Sequence, residues 1–279
     1  MRLSELGEAG LLAELEQRGL ARGIEHDAAE LGAGLVVTQD ALVEGVHFTL
    51  EWTSFRELGY RAAAVNLSDL AASGAEPQAL LVTLAAPGEL ELSDVVDLYE
   101  GLNEPGVPVA GGDTTSAPQL MLAVTAIGHS ERVPGRAGAG PGDLVVVTGP
   151  LGGAGAAFRE RRHARPPLRL EEGRRLAAVA HALTDISDGL AVDAGHLAAR
   201  SGCRLELDLE QVPLAPGATV EDLGFGEDYE LLATTPDALG FPVIGRCTDG
   251  EGVEIQLKGE RVALAGWEHF GGRGARDLR

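Results

Sequence analysis

The stretch "SFRELGYRAAAVNLSDLAASGAEPQALLVTLAAP", Ser54 to Pro87, decides the architecture. Its first half has apolar residues at helical spacing and closes at Gly74, a residue suited to a helix C-terminus, before Pro77 stops any continuation. The second half, Ala79 to Pro87, is a short aliphatic and β-branched run of strand length. A helix that feeds directly into a strand is the unit of an α/β or α+β protein. Working outward, "GLVVTQD" (Gly34 to Asp40) and "LMLAVTAIG" (Leu120 to Gly128) read as further strands, and "SDVVDLYEGLNEPG" as a second helix capped by Ser93. The opening "MRLSELGEAGLLAELEQRG" has leucines at helical spacing and no basic leader or small-residue cleavage site, so an amphipathic helix is expected there.

Toward the C-terminus, "ERVPGRAGAGPGD", Glu131 to Asp143, is rich in glycine and proline and marks a boundary. The chain of 279 residues is therefore expected to divide into residues 1–135 and 136–279, in keeping with ordinary domain sizes. Past the boundary, "DLVVVTG" starts a new strand, "DGLAVDAGHLAARSG" is a helix, and short strands follow up to "GWEHF". The final "GGRGARDLR" is expected to fray.

Composition restricts the partners. With Lys+Arg 22 against Asp+Glu 43, a net charge of -21 excludes binding of nucleic acid or of an anionic membrane by charge alone. An anionic substrate would need metal ions. At 44% hydrophobic residues and no uncharged run near the ~20 residues that span a bilayer, the chain reads as soluble and globular. Cys203 and Cys247 are far apart in sequence with no C-x-x-C, which points to a reducing cytoplasm.

The polar residues that could carry chemistry gather at the ends of elements: "EHDAA" (Glu25 to Ala29), "TQD" (Thr38 to Asp40), "NLSDLAASGA" (Asn66 to Ala75), "GGDTT" (Gly111 to Thr115) and "TDISDGL" (Thr184 to Leu190). Asn66, Asp69 and Ser73 are three and then four residues apart and share one helix face. "GGDTT" reads as a glycine-rich loop at a strand end, where backbone N–H groups can approach an anion. Taken singly, "GGD" also fits an ordinary turn and Asp-x-x-Asp a solvated helix cap. Asp69 is different, because a carboxylate in an alanine-rich helix beside a sheet needs a partner or a metal. Several aspartates brought together repel one another, and magnesium, which takes oxygen ligands and phosphates, relieves that. Lys258 is the only lysine, so neither a G-x-x-x-x-G-K-[ST] loop nor a protein-kinase strand lysine is present, and the histidines are dispersed with no H-E-x-x-H.

Taken as an ordered set, "DAA", "TQDALVEGVHF", "NLSDLAASGA", "GGDTT", "GRAGAGPGD", "TDISDGL", "GEDYEL" and "GWEHF" resemble the thiamine-monophosphate kinase family. That family belongs to the superfamily of aminoimidazole ribonucleotide synthetase and selenophosphate synthetase. The resemblance runs from Asp27 to Phe270. It implies a two-domain PurM-like α/β (α+β) fold in which the N-terminal sheet pairs across a homodimer into a β-barrel, followed by a C-terminal α/β domain. It implies magnesium-assisted transfer of the ATP γ-phosphoryl group to thiamine monophosphate, giving thiamine diphosphate and ADP. On the same grounds Asp27, Thr38, Gln39, Asp40, Asp69, Asp113, Asp185 and Asp188 would be metal ligands, with Asp40, Asp69, Asp113 and Asp185 acting catalytically through the ions. Tyr99, Gly112, Asp113, Arg136 and Ser187 would contact ATP, and His47, Glu227, Asp228, Trp267 and Phe270 would approach thiamine monophosphate.

The chain departs from the family at Glu25 and His26, which stand where Gly-Asp precedes the aspartate equivalent to Asp27. Imidazole is a poor magnesium ligand, so weaker magnesium affinity is expected, with Asp27 keeping the main role. Gln39 replaces a common threonine, which matters little if that position binds through its backbone. The chain is shortened around "FRERRHARPPLRLEEG", a segment expected outside the active site. Selenophosphate synthetase would want an early cysteine, and the related hydrogenase-maturation protein a C-terminal one, whereas here no cysteine precedes Cys203 and the chain ends "RDLR". "VEGVHF" and "GWEHF" argue against aminoimidazole ribonucleotide synthetase, and a non-catalytic nucleotide- or thiamine-phosphate-binding protein is the alternative of a different class.

Overall fold

The computed structural model describes residues 1–21, 26–267 and 270. Its N-terminal part runs α1 (Leu3–Gln17), β1 (Ala29–Gly32), β2 (Leu35–Val43), α2 (Phe55–Ala72), β3 (Glu76–Ala86), α3 (Leu92–Asn103), β4 (Val109–Ser116) and β5 (Met121–His129). The C-terminal part runs β6 (Leu144–Val147), α4 (Gly153–Arg159), α5 (Leu170–Ala177), β7 (Ala182–Asp185), α6 (Leu190–Ser201), β8 (Arg204–Asp208), β9 (Leu231–Thr235), β10 (Val243–Thr248), β11 (Gly252–Leu257) and β12 (Glu260–Arg261). Each part has its own sheet, ordered β1-β2-β5-β3-β4 and β12-β11-β8-β10-β6-β9-β7.

Helix α2 is the element around which both parts are built. Ser54 starts it with a capping box: its hydroxyl accepts from Glu57 N, and Glu57 accepts in return from Ser54 N at 2.9 Å. Beyond its first turn α2 is buried on nearly every face, because it is in contact with β2, β3, β5 and α3 on one side and with α5, β7 and β9 on the other. Gly59 lets α3 approach. A Cβ there would stand 1.9 Å from Leu98 O, and one at Gly101 would stand 2.0 Å from Arg56 O. The N-terminal core packs Leu58, Leu67 and Leu70 of α2 against Leu80, Val82, Leu122 and Val124 of the sheet. A separate core lies between α6 and the second sheet, and a third cluster, Ala71 and Ala72 against Leu176, Leu183 and Leu231, seals the seam between the parts.

Several expectations change on contact with the structure. "GGDTT" is not a loop: it forms most of β4, an exposed edge strand paired in parallel with β3. Its polar side chains disguise a strand held by backbone ladder bonds alone. Helix α3 begins after Glu91 with no side-chain cap, so Ser93 lies inside its first turn. Pro77 ends no helix directly but sits within β3, near a register shift where its missing N–H is tolerated. Helix α1 forms as expected but turns sharply at Gly7 (φ 71), and none of its leucines is buried. Cys203 and Cys247, remote in sequence, are both buried in the second core as free thiols. Among the described residues no helix is long and apolar enough to cross a membrane.

Candidate active site

Strand β2 alternates inward and outward, which turns Thr38 and Asp40 toward α2 and leaves Gln39 exposed. The Thr38 hydroxyl donates to Asp69 Oδ2 at 2.5 Å, with Asp27 O at 3.2 Å, and the Asp40 N–H donates to Asn66 Oδ1 at 3.1 Å. From the other part, β7 ends on Asp185, whose Oδ2 accepts from the Ser68 hydroxyl at 2.6 Å. Asp27 accepts from Thr184 Oγ1 at 2.9 Å and pairs with Arg136 at 2.5 Å. As a result, one carboxylate oxygen from each of Asp27, Asp69 and Asp185 lies within 4.8 Å of the other two.

Such a cluster is costly as bare charge. Burial, opposed by the hydrogen bond to Asp69 and assisted by the charges of Asp188 and Asp27, pushes Asp40 up to about 6. Burial, then the charge of Asp27, pushes Asp185 up to about 8, and burial with the charges of Asp40 and Asp185 holds Asp69 well above the carboxylate range. The donor set is all oxygen and mostly carboxylate, which fits a hard divalent cation and suits no soft metal. Cations bound there would return the acids to their ionised state.

A second wall is zipped together from three separated segments. Glu227 N donates to Ser187 O at 2.8 Å, Tyr229 N to Ile186 O at 2.9 Å, and Trp267 N to Asp188 O at 2.9 Å. Asp193 accepts from the N–H groups of Asp188 and Gly189, both at 3.0 Å, and so fixes the turn that starts α6. Glu227 (φ 60) and Tyr229 (φ 51) are both left-handed, a conformation that residues with a Cβ adopt only when their surroundings enforce it. On the facing wall, Val43 N donates to His47 Nδ1 at 3.0 Å, which places the imidazole proton on Nε2. Both walls and the carboxylates border one cleft of about 520 Å³, large enough for small-molecule substrates.

Residues 25–130 match the family described as AIR synthase related protein, N-terminal domain, and residues 140–258 its C-terminal domain. A thiamine-monophosphate kinase of Aquifex aeolicus is 35% identical, with 97% of this chain and all of that protein covered. One of Escherichia coli K12 is 36% identical over 89% of this chain and 91% of its own. A solved structure described as AaThiL complexed with AMPPCP and TMP superposes with a TM-score of 0.88 at 34% identity, covering 96% of this chain and 99% of that one. The chain belongs to the thiamine-monophosphate kinase family.

Of the residues that resemblance to the kinase family singled out, Asp27, Thr38, Gln39, Asp40, Asp69, Arg136, Asp185, Ser187 and Asp188 border the cleft, together with His47, Glu227, Trp267 and Phe270. Arg136, read from sequence as part of a glycine-rich linker, is tied into the cluster through Asp27. Asp228 goes elsewhere. Its carboxylate turns inward and accepts from Gly152 N at 2.7 Å and Ala154 N at 3.4 Å, and burial raises it to about 6. Tyr99, Gly112 and Asp113 do not border the cleft. Asp40, Val124, Val82 and Gly112 form one row across the sheet, so β4 lies roughly 14 Å from β2 at about 4.8 Å per strand.

Glu25 lies outside the described residues, as do Glu268, His269 and the tail from Gly271 onward. His26 borders the cleft, where its Nδ1 is buried without a hydrogen-bond partner. The sequence reading missed Ser68 and Asp193, which hold the acidic residues in place, and Glu8, which reaches the cleft from α1. Ser68 adjoins Asp69 within "NLSDLAASGA", a signal that was available; nothing local marks Glu8. The "FRERRHARPPLRLEEG" segment is not remote either: Phe158, Arg162 and His163 line a small cavity that also touches His47 and Glu227.

Proposed function

We propose that this protein is a thiamine-monophosphate kinase that transfers the γ-phosphoryl group of ATP directly to the phosphate of thiamine monophosphate, giving thiamine diphosphate and ADP. The observation that carries this reading is the convergence of Asp27, Asp69 and Asp185 within 4.8 Å in the cleft that His47, Glu227, Trp267 and Phe270 also border. The family membership and the likeness to a complex with AMPPCP and TMP support it.

Both reactants are anionic and the chain has a net charge of -21, so the reaction turns on neutralising charge and aligning the phosphates in line. Magnesium, held by Asp27, Asp40, Asp69, Asp185 and Asp188 with Thr38 and Gln39 beside them, would supply that neutralisation. Arg136 is placed to shift from Asp27 to a nucleotide phosphate, adding a fixed cation. His47, protonated at Nε2, would donate to the acceptor phosphate, and Glu227 would face the cationic thiazolium ring of thiamine. Trp267 and Phe270 would cover the acceptor and exclude water, so that the phosphoryl group passes to a phosphate rather than to solvent.

Gly112 and Asp113 of β4 enter this scheme from a second copy of the chain, while for Tyr99, on α3 and packed against the N-terminal core, only the family resemblance supports a nucleotide contact. The sheet face opposite α2, which presents Ala41, Ala123, Thr83 and Asp113 in one row and the exposed Leu81, has no helix of α2's kind against it among the described residues. Closing two such faces into a barrel would bring the β4 residues of one copy toward the cleft of the other. The division into residues 1–135 and 136–279 and a reducing cytoplasmic setting complete the reading, the latter in keeping with two buried free thiols.

The test is acceptor dependence. ADP release from ATP and magnesium should require thiamine monophosphate and ignore an aminoimidazole precursor. ADP release that the precursor alone stimulates would replace this reading with a synthetase activity.

A further inference from the structure

Arg61 is a charged residue in the buried middle of α2, only 6% exposed, and lies behind the cleft rather than in it. Its guanidinium spans two groups. NH1 donates to the backbone carbonyl of His47 at 2.8 Å, and NH2 pairs with Glu227 Oε1 at 2.6 Å. The side chains of this pair are 8% and 12% exposed, so both charges are largely withdrawn from water and depend on their geometry. His47 comes from the loop after β2 and Glu227 from the segment before β9, one in each part of the molecule, and both border the cleft.

We propose that Arg61 is a positioning residue that sets the separation and orientation of His47 and Glu227, and thereby the protein's hold on the phosphate acceptor. The inference rests on the kinase reading of the cleft. A planar guanidinium can bond two acceptors at a fixed angle, whereas an ammonium is a compact charge whose three rotatable donors fix no such angle. Glu227 needs such a restraint, because its left-handed backbone (φ 60) is a conformation that costs energy unless neighbours hold it. His163 lines the small cavity that Arg61, His47 and Glu227 also line. Burial first, and the Arg61 charge next, push its imidazole down to about 4, so it stays neutral and does not compete for Glu227. The guanidinium itself bonds His47 and Glu227, and the acidic side is met only through the backbone of Glu227, whose N–H donates to Ser187 O, so acceptor binding should respond to Arg61 far more strongly than nucleotide binding.

The experiment compares wild type with Arg61→Met and Arg61→Lys, measuring KM for each substrate, kcat, and the dissociation constant for thiamine monophosphate by calorimetry. Arg61→Met should raise the thiamine monophosphate KM and dissociation constant about tenfold or more, within the range that misplacement of a binding group produces. The ATP KM should stay within about twofold. Arg61→Lys should fall between the two, and serves alone if Arg61→Met does not fold. In a Glu227→Gln background, Arg61→Lys should add little to the loss, as expected for residues acting as one unit. A rise of both KM values together, or a lowered melting temperature with unchanged acceptor binding, overturns the inference. Should wild type bind thiamine monophosphate but not phosphorylate it, the kinase reading fails. The dissociation constants still decide on Arg61, and equal values in wild type and variant overturn its role.

Discussion

At the scale of single residues, the account depends on carboxylates placed where they are unfavourable until cations arrive. Asp69 and Asp185 are hydrogen-bonded to Thr38 and Ser68, so the chain orients them, yet burial and mutual repulsion raise their proton affinity. For an acid whose folded pKa is raised, stability is fully present below the unfolded value and is lost as pH rises through the folded one. Melting measured in chelator should therefore fall as pH climbs from about 4 through about 8, with Asp185 titrating at the upper end. Asp69→Asn should flatten that slope and raise the metal-free melting temperature, while cutting activity by about a hundredfold or more. A variant that loses activity without flattening the slope would break the link between strain and metal binding. His26 tests the cluster from its margin: its Nδ1 is buried and unpartnered where a carboxylate is expected. His26→Asp should lower the magnesium concentration needed for half-maximal activity, and an unchanged activation curve would remove the idea.

At the scale of elements, α2 supplies Asp69, Ser68, Asn66 and Arg61 from a single rigid rod, so its placement governs the site. Loss of the Ser54 capping box by Ser54→Ala should cost about 1 kcal/mol, read from the denaturant midpoint. Gly59→Ala should cost more, about 1 to 3 kcal/mol, because Leu98 O stands 1.9 Å from the new Cβ and only backbone movement of α3 can make room. Equal stability of Gly59→Ala and wild type would mean that the α2–α3 contact is looser than described. This helix was legible in the sequence because two local signals agreed: helical apolar spacing and a closing glycine. Strand β4 was not, since Gly111, Gly112, Asp113 and Thr114 have turn chemistry and their strand state is imposed by the ladder with β3. Asp228 misled for a related reason. Its motif marked the segment correctly, but left-handed backbone at Glu227 and Tyr229 turns the aspartate inward to α4, which no local pattern announces.

At the scale of the whole molecule, two parts with separate sheets meet along α2, and the cleft exists only because both contribute to it. The clustering of Asp27, Asp69 and Asp185 was legible because acidic residues recur along the chain in a recognisable order. The roles of Ser68 and Arg61 were not legible because each acts across a long sequence separation, Ser68 on Asp185 and Arg61 on Glu227, whereas Asp193 acts locally on Asp188 and Gly189 inside what reads as an ordinary helix start. The uncovered sheet face belongs to this scale as well. Leu81→Glu, on that face and 38% exposed, should convert a dimer to a monomer in light scattering and weaken ATP binding along with it. A dimer that survives would move the interface elsewhere. The central claim, that this cleft joins a phosphate to a phosphate, is tested most directly by phosphorus NMR of the protein with ATP, magnesium and thiamine monophosphate. The account predicts thiamine diphosphate appearing in step with ADP, with no lag and no free phosphate. Binding of both ligands with no thiamine diphosphate would contradict it, and would place the protein among nucleotide-binding relatives that have lost turnover.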